Sequence, residues 1–202
     1  MHFKYFTFLI YSPRGQSEKA SQSRILAGKC KNGDILFAKS LADEIIKEGK
    51  QSFFKDTVLI PVPRSAPLTK GAVFPTKVLA DIFVVKGLGN GVHECIQRIK
   101  SIPKSSSQYS AETRNSVQTH LDSLAVNNII IPETSIIIID DILTLGRTSM
   151  ACALKLSEIY SEKEIKIFCP FRTRSFEDNN ILKDIRFGEM KLSNSGKVVL
   201  PD

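Results

Sequence analysis

Ile136-Ile137-Ile138-Ile139-Asp140-Asp141-Ile142-Leu143-Thr144-Leu145-Gly146-Arg147-Thr148 decides the fold of this 202-residue chain. Four β-branched residues in a row read as a parallel strand buried on both faces. Two carboxylates stand where that strand leaves the sheet. A short loop with Gly146 between Thr144 and Thr148 follows, then an amphipathic helix from about Ser149 to Tyr160. In an open α/β sheet, ligands bind at the carboxyl ends of strands. A Gly-bearing loop that opens into a helix N-terminus offers free N–H groups and the positive end of a dipole, which suits a phosphate. The carboxylates suit sugar hydroxyls or a Mg²⁺ shell around a polyphosphate. Together the features ask for a sugar phosphate rather than a bare anion. The alternative is an ordinary strand–turn–helix with acidic residues at its turn.

Outward from this stretch the pattern alternates. Residues near 3–11 read as a strand, with a partner strand allowed before Gly28. Asp34 caps a helix over Ile35–Glu48, with Ile35, Phe37, Leu41, Ile45 and Ile46 on one face and Gly49 ending it. Thr57–Val62 is a short strand stopped by Pro61 and Pro63, and a helix spans about Pro75–Lys86. A strand-like His93–Ile99, a polar basic loop and a helix over roughly Ser110–Leu121 precede the signature, and Glu164–Cys169 is another buried strand. Beyond Ser175 an irregular stretch leads to short strands near Ile185–Leu192 and Val198–Leu200. The expected fold is α/β, a mostly parallel sheet flanked by helices on both faces with small N- and C-terminal strand additions. One domain spans 1–202, with its core at about 30–175, an N-terminal strand in 1–29 and an extension over 176–202.

Composition narrows the function classes. A chain with 42% hydrophobic residues and no apolar run near the length of a membrane span suits one α/β domain with a sizeable core. The apolar opening Met1–Ile10 is short and aromatic and lacks a small-residue cleavage site, so a strand is expected there rather than a signal peptide. Cys30, Cys95, Cys152 and Cys169 stand singly, which supports neither a zinc site nor a disulfide framework and fits a reducing cytoplasm. The net charge of +7 favours anionic ligands. Nucleic-acid binding is expected to be weak at most, because the basic residues are dispersed and no aromatic–basic interleaving is visible.

Two further constellations bear on the site. In Pro61-Val62-Pro63-Arg64-Ser65-Ala66-Pro67-Leu68, the strand end should share an edge with Asp140 if both strands are parallel, and Arg64 is then placed for a second phosphate group. Taken alone it reads equally as a Pro-rich surface turn. Arg98, Lys100 and Lys104 lie in a Ser- and Pro-rich connection that looks mobile, and each singly reads as a solvated side chain. His120 lies near a helix end, where a structural role is the simpler reading. Arg172 and Arg174, by position alone, would line the far side of the site.

The signature resembles the phosphoribosyl-pyrophosphate motif of the type I phosphoribosyltransferases, and the Pro-Val-Pro turn resembles the ComF-like, competence-associated branch. The likeness continues through Gln97–Ser107 and Arg114–Ser123 and covers most of residues 57–175, without the Cys-rich zinc ribbon that many ComF proteins carry. It implies a Mg²⁺-dependent transferase that binds 5-phosphoribosyl 1-pyrophosphate and passes the phosphoribosyl group to an unidentified nitrogen acceptor. Asp140 and Asp141 would hold the ribose hydroxyls and, through water, the metal. Thr144, Leu145, Gly146, Arg147 and Thr148 would wrap the 5′-phosphate, and Arg64 and Ser65 would hold pyrophosphate. Lys104, Arg98 and Lys100 would stabilise charge on departing pyrophosphate from a closing loop. The chain departs from the family at Leu145, usually Thr, and at Arg147, usually a small residue. A lost hydroxyl costs ~1 kcal/mol of phosphate binding, which Arg147 offsets if its guanidinium reaches the phosphate. A second expectation is a catalytically silent binding protein that acts in DNA uptake or regulation. A homodimer is left open.

Overall fold

The computed structural model describes residues 1–104, 113–174 and 180–201. Its first half runs β1 (His2–Tyr11), α1 (Glu18–Lys31), α2 (Ile35–Lys47), a 3₁₀ turn (Gln51–Phe54), β2 (Thr57–Pro61), α3 (Pro75–Val85), β3 (Gly91–Val92) and β4 (Ile96–Arg98). Then follow α4 (Val117–Leu121), β5 (Leu124–Val126), β6 (Ser135–Ile139), β7 (Ile142–Leu143), α5 (Arg147–Ile159), β8 (Glu164–Thr173), β9 (Lys183–Leu192) and β10 (Val198–Val199).

The main sheet has the order β10-β9-β1-β8-β6-β2-β3, with β7 also paired to β8. Pairings from β1 through β8, β6 and β2 to β3 are parallel, and those of β9 with β1 and β10 are antiparallel. The isoleucine run shows why the sheet needs two covers. Ile136 and Ile138 pack into a core with α4 and α5, whereas Ile137 and Ile139 pack into one with α1, α2 and α3. The fold is therefore α/β, a mixed and mostly parallel sheet with helices on both faces. Strand β4 leaves the main sheet and pairs antiparallel with β5 over the α5 face.

The expected caps form as read. The Asp34 carboxylate accepts the Phe37 N–H at 2.8 Å, and Pro75 opens α3. Residues 18–31 are a helix and not a partner strand. Ser17 caps it by accepting the Ala20 N–H, and it buries Ala20, Ser23, Ala27 and Cys30. A helix that packs through small residues shows no stripe of large apolar side chains. On α2 the inward face is Phe37, Ala38, Leu41, Ala42 and Ile45, while Ile35 and Ile46 are exposed, because alanines let the helix lie close to the sheet. Helix α4 begins only after Ser116, whose side chain accepts the Thr119 N–H. Residues 105–107 of the expected loop, 110–112 of the expected helix and 175–179 lie outside the described residues.

Strand β9 is not a short addition. It runs ten residues beside β1, which is thus an interior strand, and the exposed ring of Phe187 stacks on Phe6 at 4.5 Å. All four cysteines are free and buried. No helix among the described residues is long and apolar enough to cross a membrane.

Candidate functional site

Parallel pairing of β6 with β2 and β8 brings three strand ends to one edge of the sheet, where Pro61 faces Ile139 and Ile139 faces Phe168. The Val62 N–H donates to the Ile139 carbonyl at 2.9 Å, and the Asp140 N–H to the Phe168 carbonyl at 3.0 Å. The acidic pair and the Pro61–Arg64 turn are thereby neighbours. Asp140 is held by the Asp141 N–H on Oδ1 (2.9 Å) and by the Ser149 hydroxyl on Oδ2 (2.7 Å), and Asp141 Oδ1 accepts the Ile142 N–H at 2.7 Å. Burial and the neighbouring Asp141 charge nevertheless push the Asp140 carboxyl up to about 7.

The loop after the pair is fixed from both ends. The Thr144 and Thr173 hydroxyls lie 2.7 Å apart, and Arg172 donates to the carbonyls of Leu143 and Thr144. Gly146 adopts φ +67°, and a Cβ there would meet Met190 at 3.1 Å and Val198 at 3.3 Å. Strands β9 and β10 thus back the loop directly. Helix α5 starts at Arg147 with no side-chain cap, so its first N–H groups, which have no intrahelical acceptor in any helix, take none from the N-cap residue either. The Arg147 guanidinium does not stand wholly toward a phosphate. It donates to the carbonyls of Arg114 (2.8 Å) and Asn115 (3.2 Å), because the turn before α4 presents those oxygens to the first residue of α5.

Two adjoining lobes open over the acidic pair, of ≈ 450 and ≈ 370 Å³, and they share Lys31, His120, Asp140, Asp141 and Thr148. The larger is walled by the Thr144–Thr148 loop, with Arg114 and Arg147, and on its other side by Tyr11, Pro13 and Arg14. The smaller holds Arg64, Ser65, Arg98 and Lys104. The structure therefore gathers every expected site residue except Lys100, which is exposed and lines neither lobe.

Arg98 does not ride on a mobile loop. It is 5% exposed, and its guanidinium donates to the Arg64 carbonyl and to the Ser123 hydroxyl. The segment beyond it is tied down as well. The Ile102 N–H donates to the Ser65 carbonyl at 2.9 Å, and the Asn115 side chain to the Pro103 carbonyl at 2.8 Å. Arg172 is spent on the loop carbonyls and Arg174 faces Asp184 at 3.7 Å, so neither lines the cleft. Arg14, Lys31 and Tyr11 take that wall instead; no local pattern marks them, because their place depends on where β1 and α1 join the sheet.

His120 is buried between the lobes. Its Nε2 lies 3.4 Å from the Thr148 hydroxyl, and its Nδ1 has no hydrogen-bond partner among the described residues. Burial, then the charges of Arg98 and Arg147, lower its pKa to about 4, so the imidazole is neutral at physiological pH.

Among the described residues no cluster of three or more His, Cys, Asp or Glu side chains gathers as a metal cage. Mg²⁺ needs none, since it is usually held by one or two carboxylates, waters and ligand phosphates. Asp140 and Asp141 fit that role. Both Asp140 oxygens already accept protein hydrogen bonds, which favours contact through water or through Asp141. No protein-family model matches the chain, and no curated protein matches it in sequence.

Proposed function

We propose that the protein is a Mg²⁺-dependent phosphoribosyltransferase of the type I fold, which binds 5-phosphoribosyl 1-pyrophosphate and transfers its phosphoribosyl group to a nitrogen acceptor. One observation carries this reading: an acidic pair at the carboxyl end of a central parallel strand, between two lobes that both hold cations. A ligand with a polyol centre and anionic ends matches that order of charge. The 5′-phosphate takes the N–H groups of the Thr144–Thr148 loop and α5. The ribose hydroxyls donate to Asp140 and Asp141, and pyrophosphate lies by Arg64 and Ser65. Mg²⁺ at the pair would offset the charge of the phosphate oxygens.

In the transfer, the bond from the anomeric carbon to the pyrophosphate oxygen breaks and its electron pair leaves with pyrophosphate. The acceptor nitrogen bonds to that carbon and gives up its proton to solvent or to the leaving group. Held geometry and Lys104 beside the departing charge supply the catalysis. Four free, buried thiols accord with a cytoplasmic setting.

A second reading, a silent phosphoribosyl-pyrophosphate-binding protein acting in DNA uptake or regulation, is favoured by one observation. Of the three cations expected to act on the leaving group, Arg98 is committed to protein acceptors and Lys100 lies outside the cleft. The test is incubation of ribose-labelled donor and Mg²⁺ with a nucleobase panel and cell extract. The transferase reading expects label in a nitrogen-linked product with equimolar pyrophosphate. Donor that binds and is never consumed supports the silent reading.

A further inference from the structure

We propose that the acceptor is a planar nitrogen compound carrying a negative charge, recognised by Arg14 with Lys31; this rests on the phosphoribosyltransferase reading above. The cations of the larger lobe fall into two sets on opposite faces of the sheet. Arg147 opens α5 and Arg114 precedes α4, both helices of one face. Arg14 precedes α1 and Lys31 ends it, on the other. The acidic pair sits at the sheet edge between them.

A donor with its phosphate on the α5 side, its ribose over the acidic pair and its pyrophosphate by β2 leaves one wall unused. That wall comes from the ends of β1 and β8 and carries Tyr11, Pro13, Arg14 and Thr173. It flanks the acidic pair on the side away from Arg64, where a nucleophile would approach opposite the leaving group. No carboxylate other than the pair lines it, and neither Arg14 nor Lys31 has an ion-pair partner among the described residues. Lys31 also borders the pyrophosphate lobe, but Arg14 does not, and a neutral acceptor has no use for it. An anionic acceptor needs that cation, because the phosphates and the acidic pair would otherwise repel it.

The backbone on either side of Arg14 is held in place. Arg24 donates to the carbonyls of Ser12 (3.0 Å) and Gly15 (2.8 Å), and the Ser12 N–H donates to the Ser23 hydroxyl at 3.1 Å. The turn that carries Arg14 is thus clamped to α1 on either side of it. Tyr11 and Pro13, both partly exposed, line the same lobe as Arg14, and such side chains suit a ring. Lys31 has an ordinary role as well, as a cation at a helix C-terminus. Arg14 has none, and it lines the larger lobe alone, so it is the discriminating residue.

The test is calorimetric titration of the donor- and Mg²⁺-loaded protein with pyridine and pyrimidine carboxylates, each beside its uncharged carboxamide. The carboxylates should bind at least tenfold more tightly. Arg14→Ala and Arg14→Glu should erase that preference while donor affinity stays within twofold, and Arg14→Lys should keep part of it. Equal affinity for the two series, no carboxylate binding, or a loss of donor affinity in Arg14→Ala would each overturn the proposal. The carboxylates are also titrated without donor. Arg14-dependent binding there upholds the anion site even for a protein that fails to bind donor, so the two claims fail separately.

Discussion

At Asp140 the burial that suits a ligand works against the fold. Folding raises this carboxyl to about 7, which means that the native state prefers its protonated form. The cost of ionising it is absent below the unfolded carboxylate range and fully present above about pH 7, so its contribution to stability falls as pH rises between those limits. Asparagine keeps an acceptor for the Asp141 N–H and can donate to the Ser149 hydroxyl. Asp140→Asn should therefore be more stable than the parent at pH 8 by about 1–2 kcal/mol, with the gain gone near pH 4. Urea denaturation at the two pH values checks this, and a less stable variant at pH 8 contradicts it. His120 poses a second residue-scale problem. A buried Nδ1 without a partner is tolerated best as a bare lone pair, which puts the proton on Nε2, facing Thr148. Thr148 then accepts from His120 and turns its own O–H toward the cleft. His120→Leu should weaken ribose 5-phosphate binding about fivefold, a loss of ~1 kcal/mol. His120→Gln, which keeps a donor, should restore most of it. On a Thr148→Val background the Leu substitution should cost nothing further; a full additional loss there would make His120 merely a packing residue.

Between elements, the decisive contacts are those of Arg98 and the segment after it. Arg98 joins the β2 turn to the residues after α4, so its removal leaves buried carbonyl and hydroxyl groups without their donor. Arg98→Met should lower unfolding free energy by about 2–4 kcal/mol. Lys104→Ala, at an exposed position, should reduce turnover more than donor affinity. Pyrophosphate release unchanged in Lys104→Ala would remove it from the chemistry. These contacts also show where the sequence was legible. The isoleucine run, the Asp34 cap and Pro75 act over a few residues, and each element they imply is present. Helix α1 leaves no such mark, because Ala20, Ser23, Ala27 and Cys30 pack by smallness, which hydrophobic periodicity does not register. The role of Arg98 was hidden because its partners lie 25 and 34 residues away along the chain. The backing of Gly146 by Met190 and Val198 depends in the same way on β9 folding back beside β1.

For the whole molecule, the chain carries a net charge of +7, and among the described residues Arg14, Lys31, Arg64, Arg98, Lys104, Arg114 and Arg147 converge around one cleft. Binding to single-stranded DNA should be weak, indifferent to sequence, lost at physiological salt and competed by the donor. Gel shifts across a salt series, with and without donor and Mg²⁺, test this. Tight binding that survives salt and ignores the donor would favour the DNA-uptake role. The central claim is that the acidic pair between two cationic lobes is built for the ribose of 5-phosphoribosyl 1-pyrophosphate. Titration calorimetry of that donor with Mg²⁺ into the parent protein and into the Asp140→Asn, Asp141→Asn double variant tests it most directly. The account predicts saturable binding by the parent and none by a variant that unfolds as cooperatively as the parent. Equal affinity in both, or no binding by either, would contradict it.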